Sequence, residues 1–147
     1  MPKIAVEKKK LLKLFTDVLE DRKAEDLLIL DVREKSSITD FFIIATATSD
    51  PHMRAMRSEL DRAVKKGKIH LVGVDSEAGS GWTVVDAFDV MVHLFTSDIR
   101  RHYRLENLWK DAPVVGLDDL KVLARKRARS AKKKAGVKKA PARKKKQ

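Results

Sequence analysis

The chain has 147 residues, 43% hydrophobic and 37% charged, a composition that suits one soluble domain with a substantial core. It holds no cysteine, which excludes disulfides and thiolate zinc sites, and no apolar run approaches the roughly eighteen residues of a membrane-spanning helix. The net charge of +12 is lopsided: from Lys121 onward there are fourteen Lys and Arg and no Asp or Glu, which leaves nineteen basic against twenty-one acidic residues in the first 120. An argument for an anionic partner therefore applies to the last quarter alone. The start, Met1-Pro2-Lys3-Ile4, lacks the apolar core of a secretory leader, so a reducing cytoplasm is the expected setting.

Residues Glu7 to Arg22 carry Leu11, Leu12, Phe15, Val18 and Leu19 at helical spacing, which predicts an amphipathic helix. Asp26 to Val32 and Phe41 to Thr46 are short, continuous apolar runs, expected as strands covered on both faces. Ser49 or Asp50 can cap a second helix, with Pro51 in its first turn and Gly67 placed to end it after Lys66. Met53, Met56, Leu60 and Val64 would form its inner face, and Arg54, Arg57, Arg62 and Lys65 its outer one.

Ile69 to Val74 reads as a third strand, followed by a glycine-rich loop over Glu77 to Gly81. Trp82 to Ala87 and Val90 to Phe95 read as a hairpin turning at Phe88-Asp89. Ser97 can cap a short helix through Tyr103 that Leu105 to Trp109 would continue. The order predicts an α/β domain over residues 1–113: a mixed five-stranded sheet flanked by helices. Residues 114–124 would be a short connecting segment, a small docked turn or helix over Val114 to Leu123. From Arg125 to Gln147 the chain is Ala, Lys and Arg without apolar periodicity, expected to be a disordered tail.

No constellation in this chain announces catalysis. Asp86 and Asp89 are the most enzyme-like pair, yet on a strand only residues two apart share a face, and Asp is common in turns. A turn or surface role is expected for both ahead of metal binding. The junction Ala45 to Ser49 could bind a phosphate at a helix start, but it lacks glycines and Asp50 sits where the anion would lie. His52, His70, His93 and His102 show no metal-ligand spacing, so neither a metal nor a cofactor is expected. Trp82, Tyr103 and Trp109 are three of only eight aromatics, each suited either to the core or to an interface anchor. The tail residues Arg125, Lys126, Arg127, Arg129, Lys132, Lys133 and Lys134 could contact RNA phosphates without reading sequence, or could stay solvated.

Several motifs occur in one order. They are Leu30-Asp31-Val32-Arg33, Ser36-Ser37-Ile38-Thr39-Asp40-Phe41-Phe42 and Gly81-Trp82-Thr83-Val84-Val85-Asp86, then Asp89-Val90-Met91-Val92-His93-Leu94-Phe95 and Arg101-His102-Tyr103-Arg104-Leu105-Glu106-Asn107-Leu108-Trp109. Together they resemble the ribosomal silencing factor (Iojap) family across about ninety residues. The resemblance implies a sheet fold related to nucleotidyltransferase domains and a non-enzymatic regulator. Such a protein binds the large ribosomal subunit through its ribosomal protein number fourteen and blocks joining of the small subunit. It also implies a recognition face formed by Trp82, Asp86, Asp89, His93, Phe95 and Tyr103, beside which Trp109 is a further candidate anchor, and it allows a homodimer. Two alternatives stay open: a degenerate nucleotide-binding enzyme of nucleotidyltransferase type, and a general RNA binder driven by the tail.

Overall fold

The computed structural model describes residues 4–77 and 79–120. The tail residues singled out above, Arg125 to Lys134, lie outside them. The chain divides into two units, Met1–Gly116 and Leu117–Gln147. Of the second, residues 117–120 form a helical turn.

The first unit opens with α1 (Val6–Asp21), whose buried stripe is Leu12, Phe15, Thr16 and Leu19. It ends without glycine: Lys23 takes the left-handed conformation at φ 61° while Ala24 N–H donates to the Leu19 carbonyl, a Schellman closure. Strands β1 (Glu25–Asp31) and β2 (Phe41–Ala47) follow, then α2 (Asp50–Lys66). Ser49 caps α2 by accepting from His52 N–H at 3.1 Å. α2 stops after Lys66 with Gly67 as its C-cap, as expected. Gly67 keeps a right-handed φ of −84°, and Lys68 makes the left-handed turn at φ 56°.

The third strand is displaced from its expected position. β3 is Gly73–Ser76 rather than Ile69 to Val74, because its register is dictated by the partner strand β4 (Trp82–Asp86), with Gly73 opposite Asp86. β5 (Val90–Thr96) completes a sheet of order β1-β2-β5-β4-β3. All neighbours are antiparallel except β2 and β5. β2 is buried along its whole length, the reason its sequence runs apolar without alternation.

α3 (Ser97–Tyr103) and α4 (Leu105–Leu108) are not one helix, since Arg104 lies between them at φ 48°. Ser97 is the first residue of α3, not its cap; Thr96 holds that position without a side-chain bond. Residues expected to be a connector instead extend the sheet edge. Asp31 N–H donates to the Pro113 carbonyl and Val115 N–H to the Ile29 carbonyl, with Val114 bridged to Leu30.

The register assigns the two faces. Phe41, Ile43, Val90, Val92 and Leu94 alternate with the site residues described below and belong to the face on which α1 and α2 pack. There Thr83 Oγ1 lies 3.2 Å from the Met53 sulfur. The other face carries Leu30, Phe42, Ile44 and Phe95, covered in part by Ile99, Leu105, Trp109 and Ala112.

Candidate functional site

The second face of the sheet gathers most of the candidate residues by strand register alone. Trp82 stands opposite Phe95, Val84 opposite His93 and Asp86 opposite Met91, so all six project from one face. The parallel pairing with β2 adds Phe42 beside Met91 and Ile44 beside His93. The strip is only partly roofed by α3, α4 and the segment after them.

At one end is an aromatic assembly. The ring of Trp82 lies 4.9 Å from Phe95 and 4.8 Å from Tyr103, and that of His93 lies 5.0 Å from Phe42 in an edge-to-face contact. Trp109 packs on the same Phe42 at 5.1 Å. Such ring pairs contribute about 1 kcal/mol each beyond the area they bury. Their exposure separates anchor from floor. Tyr103 is 52% exposed and Trp82 and Trp109 are half-buried, while His93 is only 6% exposed and Phe95 not at all. His93 and Phe95 therefore lie beneath the rings that reach solvent, which are Tyr103, Trp82 and Trp109. A family motif marks position, and burial decides which members of it a partner can touch.

His93 has a particular electrostatic state. Trp82 Nε1–H donates to its Nδ1 at 3.1 Å, so the ring proton resides on Nε2, which has no hydrogen-bond partner among the described residues. Burial pushes its pKa down to about 4, because a charged imidazolium has nothing here to replace its water. The ring is neutral at physiological pH. With no described base or nucleophile bonded to it, it is built to hold Trp82.

Asp86 and Asp89 lie at the other end, in the turn of the β4–β5 hairpin. Asp86 Oδ1 accepts from Phe88 N–H at 2.9 Å, and the Asp89 carbonyl accepts from Asp40 and Phe41 N–H. Asp86 thus spends a carboxylate oxygen on the turn. Among the described residues no group of three or more His, Asp or Glu could hold a metal ion.

A network that sequence reasoning missed lies beside this face. Arg100 donates to the Thr46 hydroxyl at 2.8 Å and to the Asp26 carbonyl at 2.6 Å, and pairs with Glu106. It locks α3 onto the sheet and thereby sets where Tyr103 stands. Its partners are 54 and 74 residues away in sequence, beyond any local signal. A second clamp joins buried Asp31 to Arg33 through three hydrogen bonds of 2.6–3.1 Å, and the guanidinium holds that carboxyl below the usual range. His52 closes a third, accepting from Thr48 N–H and donating through Nε2 to the Arg22 carbonyl.

Comparison with known proteins shows the family and the fold. A family model described as ribosomal silencing factor during starvation matches residues 5–144. The ribosomal silencing factor of Bacillus subtilis is 36% identical over 110 residues, covering 75% of this chain and 93% of that protein. That of Halalkalibacterium halodurans is 35% identical over 108 residues, covering 74% and 92%. A crystal structure of a Bacillus halodurans protein superposes with a TM-score of 0.66 at 31% identity, covering 74% of this chain and 98% of that one. With the match spanning nearly the whole chain, and the mixed five-stranded sheet with its flanking helices shared by a solved structure, this chain belongs to the ribosomal silencing factor family.

Proposed function

We infer that this protein represses translation by docking on the large ribosomal subunit, through ribosomal protein number fourteen, where it stands in the space the small subunit needs. The observation that carries this reading is the partly open strip of sheet that ends in Tyr103 packed against Trp82. Partly exposed Tyr and Trp supply large apolar area with a polar tip at low entropic cost, the composition of interface anchors. Trp82, Tyr103 and Trp109 are the proposed contacts, with Asp86 and Asp89 at the far end of the same strip. A standard interface buries about 800 Å² per partner, an area that such a strip and its rim can supply. Steric exclusion needs complementarity and no bond making, so the function is binding and not catalysis.

The basic tail is proposed to add non-specific phosphate contacts with ribosomal RNA. The protein would act in the cytoplasm, and pairing of two copies would compete with docking only if it covered this strip.

Mixing isolated subunits with increasing protein and measuring the joined fraction by sedimentation tests the mechanism. The joined fraction should fall with wild-type protein, and should recover when the contact face of ribosomal protein number fourteen is altered. Unchanged joining at saturating protein overturns it. Deleting residues 125–147 should preserve large-subunit recognition and reduce its salt dependence, since counterion release scales with the phosphates contacted.

A further inference from the structure

At the tip of the β4–β5 hairpin the backbone does something costly. Asp89 N–H donates to the Ala87 carbonyl at 2.9 Å, closing a three-residue γ-turn around Phe88, whose φ is 70°. A γ-turn with positive φ is rare and strained, and a bulky residue at its centre is an outlier where glycine would be relaxed. Two further bonds hold it: Phe88 N–H to Asp86 Oδ1, and Ala87 N–H to the Val90 carbonyl.

The side chain held this way gains little from the fold, because Phe88 is 68% exposed. The loop bonded to this tip carries a second exposed apolar residue. Asp40 and Phe41 N–H both donate to the Asp89 carbonyl, at 3.1 and 3.0 Å, which moors the preceding loop to the hairpin tip. That loop carries Ile38, 69% exposed, with its own N–H bound to Ser36 Oγ. Two large hydrophobic side chains are therefore presented to solvent from two mutually anchored turns. Strain retained for an exposed group marks function more often than packing.

We propose that Phe88 and Ile38 form a second, apolar contact of the docking surface, inserting into an apolar socket on the large-subunit protein that meets Trp82 and Tyr103. The proposal rests on the docking reading above. Continuity argues for the shared partner. Trp82, Val84 and Asp86 alternate along one face toward the tip, and the strand rises about 13 Å over those four steps. A standard footprint of about 800 Å² is some 30 Å across, wide enough to span both ends. The aromatic end and the tip then act as two anchors with the half-buried strip between them.

The test compares Phe88→Gly, Ile38→Ser and Tyr103→Ala with wild type, measuring Kd for isolated large subunits and Tm for each. Phe88→Gly should raise Tm by relieving the turn, yet weaken binding by at least about tenfold. Ile38→Ser should weaken binding with Tm little changed. If Phe88→Gly and Ile38→Ser bind within about twofold of wild type while Tyr103→Ala binds poorly, the tip is no contact and the docking reading stands. If all three bind like wild type, the docking reading falls and this inference with it. A lower Tm for Phe88→Gly would show that Phe88 serves the fold, and would also overturn the proposal.

Discussion

Acidification from pH 7 to pH 5 should destabilise this protein through one side chain, His93. Its imidazole titrates near 4 in the fold, because burial among Trp82, Phe42 and Phe95 leaves the charged form unsolvated, while the unfolded chain restores an ordinary value near 6.5. The folded pKa is depressed for a base, so between these values the unfolded state binds the extra proton and falling pH favours it. The stabilisation is fully present above pH 6.5 and lost progressively down to pH 4. Two and a half pK units correspond to about 3 kcal/mol in all, of which about 2 kcal/mol is already gone at pH 5. That is a large share of the roughly 5–15 kcal/mol typical of a domain.

Protonation would also remove the acceptor for Trp82 Nε1–H, so the fluorescence of that residue should report the same transition. Urea unfolding at pH 7, 6 and 5 on wild type and His93→Leu isolates the effect. The variant strands the indole N–H and should lose about 1–3 kcal/mol at pH 7. It lacks the titration, so the gap should close toward pH 5. An equal slope for both proteins over this range would refute the reasoning.

Three further outcomes follow from the geometry. Gly81→Ala should cost several kcal/mol, on the order of 2–4, because a Cβ there would sit 2.5 Å from Ile99 Cγ1 and 2.7 Å from Thr96 Oγ1 at a φ of 75°; thermal unfolding reads it. Arg33→Ala should lose about 3 kcal/mol by leaving Asp31 buried without its guanidinium, measured by urea unfolding at pH 7. The Asp31 contribution is present above its unfolded value of about 3.8 and lost as pH falls through its lower folded value, a window below that of His93. His52→Ala should cost about 1–2 kcal/mol through its bonds to Thr48 and Arg22, with large-subunit binding unchanged.

Much of the architecture is legible in the chain because it rests on local physics. The α1 stripe, the Ser49-Pro51 start of α2 and the apolar runs of β1 and β2 are each written within one element. The candidate site was legible only as a set of motif positions, among which residue type does not distinguish Phe95 from Tyr103. Both are aromatic, yet one is wholly buried and the other half-exposed. That difference arises when β4 and β5 pair and α3 closes over one end of their common face.

The left-handed turns illustrate the same division. A glycine at position 67 predicts the end of α2 and caps it there, but the left-handed conformation falls on Lys68, and Phe88 adopts a backbone that its type disfavours. The amino-acid order by itself determined the elements, the near-neutral body and its basic extension, since periodicity, capping and charge are properties of neighbours in sequence. The assembled fold alone decided where β3 begins, which aromatics reach solvent, how Arg100 sets the place of Tyr103 and why His93 is held neutral. Each of those depends on groups tens of residues apart, whose burial and hydrogen bonding exist only once the sheet has formed.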